Sequence, residues 1–285
     1  MKNTVRRCAC LLVGWLLLGS AGSVRADADI PLIDAHIHYS HDAWEIVDPA
    51  VAISILRRAG LKSALVSSSS DEGTQKLYDL APDLVIPVLR PYYRRGELYT
   101  WAFDQNREDY LRSRLQKFHY AGIGEFHLSG EEVDAPAAQA VISLAEEFNL
   151  FLHAHVDADA IHRIFSAYAD ARILWAHAGF EPVGVIRSTM ATYENLWADL
   201  SFREELFDGE EIRPDWLQLF EDYPDRFTIG SDPYTPLRWF GVVSYASTAR
   251  EWLQLLPADI AESIAWRNAD RLLNGFWPRT IDRSN

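Results

Sequence analysis

An α/β fold, closed into a single (β/α)₈ barrel, is what this sequence predicts, on two observations. Eight β-type runs alternate with amphipathic helical runs. The polar side chains cluster at the C-terminal ends of the β-type runs, where barrel active sites are built. An open doubly wound sheet is the main rival, but it would gather such residues at one switch point. Here they come from at least five runs, which only a closed ring brings together.

The β-type runs in order are PLIDAHIHY (31–39), LKSALVSS (61–68), DLVIPVLRP (83–91), GIGEFHL (122–128), LFLHAHVD (150–157), ARILWAHAG (171–179), NLWADLSF (195–202) and RFTIGSDP (226–233). Each is short and apolar, as a strand covered on both faces must be. Between them lie DPAVAISILRRAG, EGTQKLYDLAPD, REDYLRSRLQKFHYAG, DAPAAQAVISLAEEFN, DADAIHRIFSAYAD, PVGVIRSTMATYEN and PDWLQLFEDYPD, whose apolar residues recur at helical spacing. Several begin with Asp or Pro, and Gly60 and Gly122 suit helix ends. The segment TAREWLQLLPADIAESIAWRNADRLL reads as two helices broken at Pro257.

The first residues carry a different signal. Lys2, Arg6 and Arg7 precede an apolar run from Cys8 to Leu18, and Val24-Arg25-Ala26 is a small-x-small cleavage site. This is the pattern of a secretory signal peptide over residues 1–26, too short for a membrane span. The expected product is an exported chain, periplasmic or secreted, with one barrel over residues 27–285. An uncleaved anchor is the alternative. Both cysteines, Cys8 and Cys10, lie in the leader, so the mature chain offers neither disulfide nor thiolate. Any metal must be held by nitrogen and oxygen. The mature length of roughly 260 residues suits one α/β barrel. A formal charge of −14 argues against nucleic acid or an anionic membrane as partner, and for a small-molecule substrate. Oligomeric state is not set by the sequence.

Within the first run, Asp34, His36 and His38 share one face, since side chains two apart point the same way. A core strand gains nothing from two imidazoles, whereas a metal ion does. Asp34, one step deeper, is placed to orient a ligand. Glu125 is a carboxylate inside an apolar run, expensive to bury unless paired or metal-bound. His127 lies one layer nearer the mouth. His153 and His155 again share a face. His153, first after the apolar run, is the expected ligand, with His155 facing substrate or solvent; the reverse assignment is the alternative. His177 ends the sixth run, and Asp232 ends the eighth before Pro233. Arg90 and Arg203 follow the third and seventh runs, where a guanidinium suits a substrate carboxylate or phosphate. His41, His119 and His162 fall in loops or helices and read as surface residues.

These residues resemble the amidohydrolase superfamily, in particular its branch of TIM-barrel metal-dependent hydrolases and non-oxidative decarboxylases. The likeness runs from about Ile30 to NADRLL at 268–273. The first-strand Asp-x-His-x-His falls on Asp34, His36 and His38, the fifth-strand His on His153, the sixth on His177 within AHAG, and the eighth-strand Asp on Asp232 within GSD. Many members bridge two ions with a carbamylated fourth-strand lysine. This chain has Glu125 there, which leaves one ion on His36, His38, His153 and Asp232, or two ions bridged by Glu125.

The resemblance implies a divalent cofactor, Zn²⁺ by donor type, as one or two ions. It further implies metal-dependent hydrolysis of an ester, lactone or amide of a small molecule, acidic ones included. On that reading Asp232 is expected to take the proton from water, and His177 to polarise the substrate's carbonyl or phosphoryl oxygen or to ligate a second ion. Metal-dependent decarboxylation on the same fold is the rival, and a metal- or ligand-binding barrel without turnover is the second.

Overall fold

The computed structural model describes residues 30–274. The leader expected at 1–26 lies outside the described residues. Eight parallel strands follow one another in sequence order. They are β1 (Leu32–His38), β2 (Leu61–Ser67), β3 (Val85–Leu89), β4 (Gly122–Leu128), β5 (Phe151–Val156), β6 (Ile173–Trp175), β7 (Leu196–Asp199) and β8 (Phe227–Thr228). The ring closes where Ala35 N–H donates to the Ile229 carbonyl at 3.0 Å and Asp232 N–H donates to the His36 carbonyl at 2.8 Å. Each strand falls within one of the runs anticipated from sequence.

Helices α1 (Pro49–Arg58), α2 (Glu72–Leu80), α3 (Arg107–Lys117), α4 (Pro136–Glu147), α5 (Ala158–Ala167), α6 (Val183–Thr192) and α7 (Pro214–Asp222) fill the seven crossovers. Two of them start on a side-chain cap: Asp48 accepts from Ala50 N–H at 2.9 Å and Asp157 from Ala160 N–H at 2.8 Å. After β8 come α8 (Val242–Leu253) and, beyond Pro257, a further helical stretch from Ala258 to Leu273 that loosens to a π-turn over Ser263–Arg267. Among the described residues no helix is long and apolar enough to cross a membrane.

The barrel interior is layered. A buried apolar cluster takes side chains from β1, β2, β3, β5, β6 and β7, among them Ile33, Leu65, Ile86, Val88, Phe151, Leu174 and Trp197. Leu272 and Leu273 of the last helix join it. Val88 precedes Arg90 by two residues, Phe151 precedes His153, and Trp197 precedes Asp199. The period-two alternation of a strand therefore stacks polar side chains directly above an apolar floor. That floor keeps water from the underside of the polar layer.

Candidate active site

The polar layer brings together side chains from β1, β4, β7 and the turns after β6 and β8. Nε2 of His36 and Nε2 of His38 lie 3.0 Å apart. Glu125 faces both, with Oε1 3.5 Å from His36 Nε2 and Oε2 3.1 Å from His38 Nε2. Asp232 Oδ1 lies 3.8 Å from His36 Nε2 and 3.4 Å from His38 Nε2. His177 completes the ring, its Nε2 3.8 Å from Glu125 and 3.9 Å from Asp232.

Each of these histidines is oriented through its other nitrogen. His36 Nδ1 meets Asp199 Oδ2 at 3.1 Å. His38 Nδ1 meets Ser67 Oγ at 2.9 Å and the Ser67 carbonyl at 3.3 Å. His177 Nδ1 meets the Ser201 carbonyl at 3.0 Å and Ser201 Oγ at 2.8 Å. With the proton on Nδ1, all three rings turn an Nε2 lone pair to the same point. Oxygen partners behind a ligating imidazole are how proteins hold metal ligands in the right tautomer.

The same geometry tests whether a divalent cation fits. Nε2 of His36 and Nε2 of His38, 3.0 Å apart, need a positive charge between them, either a shared proton or a cation lying against both. Asp232 Oδ1 is buried with no hydrogen-bond partner. The donors are imidazole nitrogens and carboxylate oxygens, suited to Zn²⁺ and other divalent ions. The residues fit the group.

The local backbone serves this convergence. A Cβ on Gly230 would lie 2.7 Å from His36 Cβ, so only glycine lets the end of β8 approach β1 here. Asp34 then ties the two together, accepting from Ser231 N–H at 3.0 Å, Ser231 Oγ–H at 2.5 Å and His36 N–H at 3.1 Å. At β4, Gly124 has φ +143° and a Cβ there would come within 2.2 Å of the His153 carbonyl oxygen. Glycine thus sets the position of Glu125 next along the chain.

Electrostatics follow from burial of like charges. Burial alone would disfavour the His36 imidazolium, but Asp232, Asp199 and Glu125 outweigh it and raise its pKa well above the ordinary value. Burial and the Arg90 charge hold His38 well below it. Despite burial, His127 and His36 keep Glu125 ionised, with a pKa well below the ordinary one. Burial, reinforced by Glu125, raises that of Asp232. The layer is a carboxylate-rich site that calls for positive charge.

The other sequence candidates separate. His155 Nδ1 lies 2.8 Å from Glu125 Oε1 at the mouth, stacked on His127 with ring centroids 4.2 Å apart. His153 instead turns Nε2 to Asp199 Oδ2 at 3.5 Å, with its ring edge-on to His36 at 4.4 Å. Arg90 donates to Glu125 Oε2 at 2.7 Å and to the Glu125 carbonyl at 3.2 Å. Arg203 is buried away from the mouth. It donates to the carbonyls of His177 at 2.8 Å and Glu181 at 2.7 Å, and pairs with Glu205. The reason is the backbone: after β6 the chain turns through positive φ at His177 and Ala178, and Arg203 satisfies the carbonyls that this turn frees. The side chain expected to read substrate braces His177 instead. His119 and His162 are exposed, and His41 is half-buried with Nδ1 on the Ser69 carbonyl.

Asp199 is the residue that the sequence reading passed over. It is fully buried, and it also accepts from Ser201 N–H at 3.0 Å and from Ser201 Oγ–H. A carboxylate inside NLWADLSF is the same signal that drew notice to Glu125, and it was available.

Above this layer opens a cavity of about 330 Å³, lined by Arg90, Glu125, His127, His155, His177 and Asp232 together with Leu98, Phe180, Phe202 and Tyr234. A (β/α)₈ barrel with convergent imidazoles and carboxylates beneath a mouth cavity defines the class of barrel hydrolases that work through a bound cation. Residues 33–275 match the family described as Amidohydrolase, and the chain belongs to it.

Similar solved structures share the fold at low identity. An uncharacterized TIM-barrel protein from Bordetella bronchiseptica is 14% identical, with TM-score 0.62 over 86% of this chain and 98% of that one. A probable 2-pyrone-4,6-dicarboxylic acid hydrolase from Acinetobacter baumannii is 12% identical, with TM-score 0.54 over 85% and 99%. A β-aspartyl dipeptidase from Fervidobacterium islandicum is 16% identical, with TM-score 0.52 over 85% and 72%. No curated protein matches the sequence.

Proposed function

We propose that this amidohydrolase-family enzyme hydrolyses an ester, lactone or amide bond of a small molecule. The observation that carries the reading is the buried, partnerless Asp232 Oδ1, set 3.4 Å from His38 Nε2 and 3.8 Å from His36 Nε2 with Glu125 beside them. His36, His38, Glu125 and Asp232 would hold a divalent cation, Zn²⁺ by donor type. His153, engaged by Asp199, stands beside that set. A bound cation supplies Lewis acidity and makes water acidic enough to react near neutral pH.

The remaining steps belong to the chain. Asp232 receives the proton of the attacking water and returns it to the leaving group. His177 Nε2 faces the same space as Asp232 and Glu125 and orients the reacting carbonyl. Arg90 holds Glu125 in place against the pull of His155. The apolar floor keeps bulk water from beneath.

The test is metal analysis of purified protein, followed by turnover of ester, lactone and amide panels with and without chelator. Activity that survives complete metal removal would refute the reading. Carbon dioxide release from aromatic carboxylates would turn it to decarboxylation. We also propose export, supported by the basic, apolar and small-residue succession of residues 1–26.

A further inference from the structure

The cavity walls carry features that the hydrolytic layer does not use. Phe180 and Phe202 have φ of 53° and 57°, in the left-handed region where bulky residues are rare. Glycine would take these positions without strain. An aromatic residue held there is strained, and such strain concentrates at ligand sites. Both rings lie against His177, Phe180 stacked at 4.6 Å and Phe202 tilted at 5.5 Å. Tyr234 meets Phe202 edge-on at 5.9 Å, and the Arg238 guanidinium backs the pair, 4.2 Å from Phe202 and 5.4 Å from Tyr234. Phe180 is 53% exposed and Tyr234 is 42% exposed, so both offer ring surface at the mouth.

The charges around the cavity point the same way. Among its described lining residues the only guanidinium is that of Arg90, and Glu125 already holds it. Arg203 is committed to backbone carbonyls behind His177. Beyond the cation that Glu125 and Asp232 would hold, a substrate bearing several carboxylates would find no uncommitted positive charge among the described lining residues. A flat, weakly polar ring would meet aromatic faces. The volume of about 330 Å³ is roughly twice the 150 Å³ that holds a benzene, which is room for one or two fused rings.

We propose that Phe180, Phe202 and Tyr234 select a planar aryl group, so that the substrate is an uncharged aryl ester, aryl lactone or aryl amide. This rests on the hydrolase reading for the bond cleaved, but not for the binding preference. The test uses full-length metal-loaded protein and matched rings. Binding of benzamide and cyclohexanecarboxamide is measured by NMR titration, and turnover of benzyl acetate and cyclohexylmethyl acetate, whose leaving groups are alike, by product release.

Benzamide is expected to bind at least about tenfold more tightly, a difference of about 1.4 kcal/mol. Phe180→Leu, Phe202→Leu and Tyr234→Leu should each shrink the preference threefold or more while metal content stays constant. Leucine keeps apolar bulk and removes the flat face, and Tyr234 is not in ring contact with His177. Equal binding of the two amides, no binding of either, or a preference indifferent to all three leucines would overturn the proposal. Aryl-selective binding without turnover of either acetate would instead count against the hydrolase reading alone. Equal turnover of both acetates would support that reading and overturn this one.

Discussion

Asp199 on β7 accepts a hydrogen bond from Nδ1 of His36 on β1 at 3.1 Å, and the same oxygen lies 3.5 Å from Nε2 of His153 on β5. One buried carboxylate thus sets the tautomer of the innermost histidine and occupies one of the two candidates on β5. Asp199→Asn keeps the shape but removes the charge that favours a proton on His36 Nδ1. Loss of such a partner lowers metal affinity about 10–100-fold. Competition with a chromogenic chelator measures it, and unchanged affinity would show that Asp199 only fills space.

Asp232 is assigned the proton transfer. Asp232→Asn removes the carboxylate that can take up a proton while preserving the backbone N–H contact to the His36 carbonyl. Turnover should fall by about 10²–10⁴-fold. Rates normalised to bound metal separate lost chemistry from lost cation, and wild-type turnover per metal would remove the assignment.

Asp34 carries a pH signature. Burial raises its pKa from 3.8 to about 6, against the hydrogen bonds from Ser231 and His36 that lower it. The folded protein therefore binds this proton more tightly than the unfolded chain does. The stabilisation is present below about pH 4 and is lost as pH rises through about 6, by about 3 kcal/mol. Asp34→Asn mimics the protonated form at every pH. Urea unfolding at pH 4.5 and pH 7 should show the variant gaining on the wild type as pH rises. A constant difference would mean that Asp34 does not titrate in this window.

Gly124→Ala tests the approach of β4 to β5. The added methyl would lie 2.2 Å from the His153 carbonyl oxygen, on a backbone with φ +143°. Overpacking and backbone strain together should cost about 2–5 kcal/mol, read from denaturant midpoints. A near-neutral substitution would show that the strand pair is looser than described.

Much of this was legible in sequence, and for specific reasons. The eight strands could be read because each is a short apolar run between helical ones, a pattern that the chain carries locally. His36, His38, Glu125, His177 and Asp232 stood out because polar side chains in such runs are anomalous unless something binds them. Asp199 carried the same anomaly, and what it does there, holding His36 and His153, appears only once the strands are brought together.

What the sequence determined by itself is the order of elements and the face on which each polar residue stands, since strand periodicity is local. Only the tertiary structure decided direction and partnership. It sent Arg203 behind His177 because a turn with positive φ left carbonyls to satisfy. It sent His153 to Asp199 and His155 to Glu125 because two strands and a carboxylate from elsewhere set their reach. It brought Phe180 and Phe202 to the mouth through backbone angles that aromatic residues rarely adopt. Such choices depend on side chains distant in sequence competing for the same space and the same protons, and closure of the ring is what brings those competitors together.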